Sequence, residues 1–307
     1  MMRKNKLMFL IPAAGLLLSL TACGKSSGAV SKSDSALFEE MIRANSIDEV
    51  LSRHNTVTIE RGVYNQGKEA ALEHWYISKD EIYIENTSGY ASNLSADTYV
   101  IADPYNSSLI SYLPSDPAVY KEWFEGSKLQ YSLNVSAEEA LTSTGEKDDT
   151  YHAETLISSD QTVSNLAEAY NEAYGGMAYQ SGMKLKYTYD FDLKTRDLLS
   201  INLYIVDGQG NETLYHTDRY SYEDKDFSTE KNSGPLAVFF DENKQRTLKI
   251  TYGAGTENAA VSEYRIARPA AFVGYHNGNF VTEFYTDAAC TKPYERSDAA
   301  VLELYAK

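Results

Sequence analysis

Gly182 to Asp192 reads GMKLKYTYDFD. Met183, Leu185, Tyr187, Tyr189 and Phe191 fall on one side of an extended chain; Lys184, Lys186, Thr188, Asp190 and Asp192 fall on the other. Strand side chains alternate between faces, so this pattern predicts an antiparallel strand with one dry and one wet face. LLSINLYIV, Leu198 to Val206, repeats it, with Leu199, Ile201, Leu203 and Ile205 expected on the dry side. LKTR forms the turn between them, DGQGN the next turn, and ETLYHTDRYSY a third strand. Three sequential strands joined by tight turns make a meander, and its apolar face has to be covered.

Working outward, ALFEEMIRANSIDEVLSRH carries Leu37, Met41, Ile47, Val50 and Leu51 near helical spacing. Asn45-Ser46, with Glu49 three residues after Ser46, predicts a helix restart with a capping box. TVTIERG alternates as a strand. EHWYISKDEIYIEN is a hairpin about Lys79-Asp80, and TYVIAD and SLISYL continue the series. PAVYKEWFEG reads as a short helix with Val119, Trp123 and Phe124 inward, STGEKDD as an irregular polar patch, YHAETLI as a strand. VSNLAEAYNEAY reads as a helix with Val163, Leu166, Ala167 and Tyr170 on one face. KNSGPL, Lys231 to Leu236, reads as a linker, beyond which the composition shifts. The fold class expected is α+β: a curved antiparallel sheet with helices, followed by a small C-terminal domain.

The chain opens with Arg3, Lys4 and Lys6 and then the apolar run LMFLIPAAGLLLSL. A basic region, a short apolar region and small residues form a secretory signal, and the run falls short of the ~20 apolar residues of a membrane span. The stretch that closes it, LTAC (Leu20 to Cys23), resembles the bacterial lipobox. That resemblance implies cleavage after Ala22 and a lipidated Cys23 as the first mature residue, bearing thioether-linked diacylglycerol and palmitate-like chains. It also implies a location at the cell membrane, on the extracytoplasmic face. Two or more chains anchor firmly where one does not. Residues 1–22 would be the signal peptide and 23–35 a lipidated polar tether, GKSSGAVSKSDS, long enough to reach about 40 Å at ~3.3 Å per residue.

Only Cys23 and Cys290 exist, so lipidation of the first leaves no intramolecular disulfide, and Cys290 reads as a packed thiol. The full chain carries 28 basic and 44 acidic residues; removing Arg3, Lys4 and Lys6 leaves 25 basic and a net charge of −19. Such a body repels nucleic acid and anionic headgroups, so nucleic acid is excluded as a partner.

Strands flanking a few helices, with a helix after a tether, resemble the half-barrel of bacterial lipoprotein carriers and mycobacterial-type lipid-binding lipoproteins. The resemblance rests on element order and on the YDFDLKTRDLLSINLYIVDGQGN meander. It implies that domain 36–231 holds an apolar ligand such as an acyl chain, with Met183, Leu185, Tyr187, Tyr189, Leu199, Ile201 and Leu203 lining the cavity or forming the core. A cavity and a filled core give the same alternation. The closing FYTDAACTKPYERSDAAVLELYAK resembles the Listeria–Bacteroides repeat, a small β-grasp-like module of bacterial surface proteins. Tyr285, Thr286, Asp287, Cys290, Thr291, Pro293, Tyr294 and Leu304 to Lys307 carry the match. It implies a domain over 232–307 that caps the body or contacts a surface partner.

Catalytic signatures are absent. His54, His74, His152, His216 and His276 stand at no metal-helix spacing, and there is no HExxH, no GxSxG and no phosphate-binding glycine loop. DGQGNE lacks the EF-hand glycine and distal glutamate and reads as a turn. Asp190 with Asp192, and Glu223, Asp224 and Asp226, read as solvated faces. No activated nucleophile, metal or cofactor emerges, and the expectation is a non-catalytic protein. Trp75, Tyr76, Tyr90, Tyr99, Tyr105, Tyr112, Tyr120 and Trp123 crowd the first half. Strand propensity and core packing account for them; a sugar-stacking platform is the other reading. The function expected is thus an anchored binding protein, its partner either an apolar ligand or a glycan or protein of the cell surface.

Overall fold

The computed structural model describes residues 30–65, 67–87, 89–96, 98–103, 108–133, 135–268 and 270–307. The expected signal peptide, Cys23 and most of the tether lie outside the described residues, as does Tyr105. The chain begins with α1 (Lys32–Ala44) and α2 (Ile47–Arg53), then six strands: β1 (Thr56–Asn65), β2 (Lys68–Ser78), β3 (Glu81–Asn86), β4 (Ala91–Ser95), β5 (Tyr99–Asp103) and β6 (Ser108–Pro114). Next come α3 (Pro117–Gln130), β7 (Ala140–Lys147), β8 (Thr150–Ile157), α4 (Asp160–Tyr174), β9 (Lys184–Asp192), β10 (Leu198–Val206) and β11 (Glu212–Ser221). The rest holds α5 (Ser228–Ser233), α6 (Ala237–Phe240), β12 (Gln245–Tyr252), β13 (Ala260–Ala267), β14 (Ala271–His276), β15 (Asn279–Val281) and β16 (Val301–Tyr305). The class is α+β, mainly sheet. The large mixed sheet follows the order β15-β14-β6-β5-β4-β3-β2-β1-β11-β10-β9-β8-β7 and does not close into a barrel.

Two compact units divide the chain. Unit 1 joins the segment ending at Leu72 to Lys128–Tyr222; unit 2 joins Glu73–Ser127 to Glu223–Lys307. The contiguous domains expected from sequence, 36–231 and 232–307, differ from this division. The reason is long-range pairing: β14 runs parallel to β6, register Ala271↔Ile110 through Tyr275↔Pro114, so the C-terminal segment completes a sheet begun early in the chain. The expected linker Lys231 to Leu236 is part of unit 2, where Leu236 is fully buried and Lys231 pairs with Glu81 at 2.7 Å.

In unit 1 the meander forms as the alternation requires. β9, β10 and β11 pair in antiparallel register, β8 and β7 extend them on one side, and β1 pairs with β11 on the other. The helices cover its dry face in two clusters. Phe38 and Met41 of α1 pack on Tyr151, Tyr189, Phe191 and Leu198, while Val163 and Ala167 of α4 pack on Leu185, Leu203 and Tyr215. Each fully buried side chain of this size contributes about 1.5–3 kcal/mol.

Three local features differ from expectation. The capping box sits at Ser31 and Asp34, starting α1 at Lys32 inside the expected tether; Ser46 occupies the N-cap of α2 without a side-chain bond. STGEKDD is ordered: its first residues lie in β7, and Asp148 and Asp149, both at positive φ (51° and 63°), turn the chain into β8. A two-residue loop with positive φ at both positions is the hairpin connection whose twist fits a sheet, and β7 can be polar because it lies at the end of the strand order. The third is a bulge. Leu198 pairs with Phe191 but Ser200 with Asp190, so Leu199 is the extra residue. Leu198 takes the buried position and Leu199 is 37% exposed.

In unit 2, β3 to β6 form consecutive antiparallel pairs, β2 adds at β3 and the β14–β15 hairpin at β6. A second sheet, β13-β12-β16, has β12 antiparallel to β13 and parallel to β16. Tyr76, Tyr83, Val100 and Leu113 from the first sheet meet Leu248, Ile250, Tyr252 and Leu304 from the second, with Phe227, Leu236 and Phe239 in the same core.

Candidate functional site

An open concave site lies in unit 2, where the β14–β15 hairpin meets the start of α3. Asn277 and Gly278 have φ of 49° and 80° and form a two-residue turn between the paired His276 and Asn279. Asn-Gly suits this turn because asparagine tolerates, and glycine prefers, the left-handed region. The chain leaving β6 is tied to the hairpin. Ser115 N–H donates to the Tyr275 carbonyl at 2.8 Å, and the Ser115 hydroxyl lies 3.1 Å from that carbonyl and 2.8 Å from His276 Nδ1. Asp116 caps α3: its Oδ1 accepts from Ala118 N–H at 2.8 Å, and Pro117 takes the first helical position, where a missing N–H costs nothing. His276 stacks on the fully buried Tyr252 at 4.7 Å and 10°.

These segments and the start of β13 bound an open cleft of about 440 Å³, lined among others by Ser115, Asp116, Ser262, Tyr275, His276 and Asn277. That volume lies within the ~300–1,000 Å³ of small-molecule sites. Tyr275 also belongs to an aromatic cluster. Its ring lies 5.4 Å from Trp123 and 5.2 Å from Phe280; Trp123 and Phe280 are 6.1 Å apart. Tyr112 touches both at 6.3 and 6.4 Å, and Tyr99 stands behind it at 5.0 Å. Burial pushes the Tyr112 phenol above its ordinary pKa, so it stays neutral. Phe280 is 47% exposed, Trp123 and Tyr275 are half-buried, and the cluster presents an aromatic surface to water.

Ser115 has a single proton and two acceptors nearby; the Tyr275 carbonyl competes with His276 for it. His276 Nε2 has no carboxylate partner among the described residues; its ring is held by the Ser115 contact and the Tyr252 stack. No group of three potential metal ligands exists among the described residues. Nor is any helix among them long and apolar enough to cross a membrane.

Of the residues singled out as aromatic platform or core, Tyr99, Tyr112 and Trp123 join this cluster; Trp75, Tyr76 and Tyr120 are buried and Tyr90 is half-buried. Tyr275 and Phe280 are missing from the sequence reading because they sit more than 150 residues away and arrive only through the β14–β6 pairing. The alternation of AFVGYH-NG-NFV is the signal that marks their hairpin.

The seven residues expected to line an apolar cavity lie in unit 1. Met183, Leu185 and Leu203 belong to the α4 cluster, Tyr189 and Ile201 to the α1 cluster, Tyr187 to both, and Leu199 to neither. Between and behind them runs a polar network. Glu139, 8% exposed, accepts from the Thr155 hydroxyl and from Tyr189 Oη at 2.5 Å. Burial raises the Glu139 pKa despite these donors. Arg61 forms a two-pronged pair with buried Asp218, Nε–Oδ1 2.8 Å and Nη2–Oδ2 2.9 Å, and His216 Nε2 adds a bond at 2.7 Å. A separate cleft, edged by Ile47, Val50, Leu133 and Tyr222, offers about 20 Å³, room for roughly one water. Cys290, at positive φ, is 6% exposed in unit 2.

No protein-family model matches the chain, and no curated protein matches it.

Proposed function

We propose that this protein is a non-catalytic, exported binding protein, moored to the cell membrane through Cys23, that holds a carbohydrate in the cleft of unit 2. One observation carries the ligand class: Tyr275, in ring contact with the exposed Phe280 and with Trp123, lines an open cleft whose other walls combine the apolar Pro117, Val119, Ala260 and Val261 with polar serine, asparagine and histidine groups. The C–H face of a sugar ring packs on such surface while its hydroxyls need the serine, asparagine and histidine groups alongside. The LTAC stretch supports the mooring, and the strongly acidic chain supports a partner other than nucleic acid or anionic lipid. The parallel β12–β16 pair, with β13 antiparallel on the other side of β12, supports a β-grasp-like reading of the C-terminal sheet.

An acyl chain inside unit 1 is the competing ligand. The side chains assigned to it are packed against α1 and α4, and a buried ionisable network shares that interior, so the geometry favours the glycan. A glycan array probed with the wild-type protein and with Phe280→Ala is the test. We expect one class of polysaccharide fragment to bind and Phe280→Ala to lose at least tenfold in affinity with unchanged melting. No bound sugar, together with lipid co-purifying in stoichiometric amount, would overturn the proposal. Mass spectrometry of the N-terminal peptide tests the mooring: a diacylglyceryl-bearing Cys23 is expected, and an unmodified one contradicts it.

A further inference from the structure

We infer that the unit 2 cleft prefers a saccharide bearing a free amine, a hexosamine rather than its N-acetylated or phosphorylated counterpart; this rests on the glycan reading above. Among the described residues Asp116 is the one formally charged side chain lining the cleft, and neither lysine nor arginine lines it. Its geometry is fixed: Ala118 N–H holds Oδ1 at 2.8 Å, leaving Oδ2 without a partner among the described residues. An ammonium group reaching Oδ2 gains a charge-assisted hydrogen bond. Tyr275 lines the same cleft, and an aromatic face attracts cations through its ring quadrupole. A phosphate or carboxylate there would meet the Asp116 carboxylate with no lysine or arginine among the cleft's lining residues to offset it. Specificity thus comes from a repulsive element as much as an attractive one.

The test compares two probes with the full chain: a tetrasaccharide of β-1,4-linked N-acetylglucosamine and the same oligomer after deacetylation. Titration calorimetry at 0.15 M salt, where the Debye length is about 8 Å, limits the pull of the distant acidic surface. The deacetylated oligomer should bind about two- to fivefold tighter, the range of one exposed ion pair. Asp116→Asn, which keeps the helix cap, should bring the two affinities together. Equal affinities in the wild type, or a preference that persists in Asp116→Asn, would overturn this inference and leave the glycan reading intact. Failure of both oligomers, while the array identifies an amine-free sugar, has the same meaning. Failure of both oligomers and of every sugar on the array overturns the glycan reading and this inference with it.

Discussion

Replacing Asp218 by alanine removes the anion from a buried ion pair of unit 1. Arg61 of β1 and Asp218 of β11 are direct cross-strand partners, and the carboxylate, 3% exposed, takes two bonds from the guanidinium and one from His216. The Arg61 side chain is only 17% exposed and also reaches Tyr174 Oη at 3.2 Å, so it cannot swing into water without undoing that contact. Stranding a buried charge costs about 3–5 kcal/mol. At roughly 2–4 °C per kcal/mol for a domain of this size, the unit 1 melting transition should fall by about 6–20 °C. Arg61→Met with Asp218→Leu removes both charges and should recover most of the loss. Acid adds a second signature. Burial alone would raise the Asp218 pKa, but Arg61 and His216 outweigh it and hold the carboxyl well below its ordinary 3.8. Its stabilisation is therefore complete above about pH 3.8 and is lost as the pH falls toward the lowered folded value, a loss the alanine variant lacks. The assay is thermal and urea unfolding of wild type, Asp218→Ala and the Arg61→Met/Asp218→Leu double variant at pH 7, and of wild type and Asp218→Ala at pH 3. A single-variant loss below about 1 kcal/mol, the value of an exposed pair, would refute the buried-network account.

Leu203→Ala, at a 1% exposed site, should cost about 2–5 kcal/mol in urea unfolding, whereas Leu199→Ala at the bulge should cost under about 0.5 kcal/mol; equal losses would mean the register is wrong. Glu139 has a folded pKa raised by burial above its ordinary 4.5, so its stabilisation is present below that value and lost as the pH rises through the folded one. Relative to Glu139→Gln, the wild type should lose urea resistance as the pH rises above 4.5, and identical pH profiles would contradict this. At Gly274 an added Cβ would sit 2.7 Å from the hydroxyl of buried Tyr252, so Gly274→Ala should cost about 1–3 kcal/mol and loosen the Tyr252–His276 stack; unchanged melting would show that the packing there is slack.

The meander was legible because Met183 to Phe191 alternate without interruption, and alternation translates directly into which face is buried. Leu199 was misplaced for the same reason: a bulge inserts one residue without changing composition, and Leu198 is as apolar as its neighbour. STGEKDD read as an irregular polar patch because two aspartates in left-handed backbone, Asp148 and Asp149, are less familiar as a hairpin turn than Asn-Gly. Helices α1 and α2 were readable from their apolar spacing, but the capping box went to whichever serine had an aspartate within reach, here Ser31. The cleft of unit 2 was only half legible. Trp123 and Tyr112 stood out, but a site assembled by a parallel β14–β6 pairing leaves no local trace. The polar network about Glu139 and Asp218 was invisible too, since those acids look like any others in a chain with 44 of them.

The central claim, a sugar held on the aromatic surface of unit 2, is tested most directly by tryptophan fluorescence. The chain has two tryptophans, Trp75 at 7% exposure and half-buried Trp123 in the cluster. Titration with the oligosaccharide selected on the array should change the emission saturably, and Trp123→Phe should abolish the change while Trp75→Phe keeps it. A response that survives Trp123→Phe, or saturable sugar binding with no tryptophan response, would contradict the account.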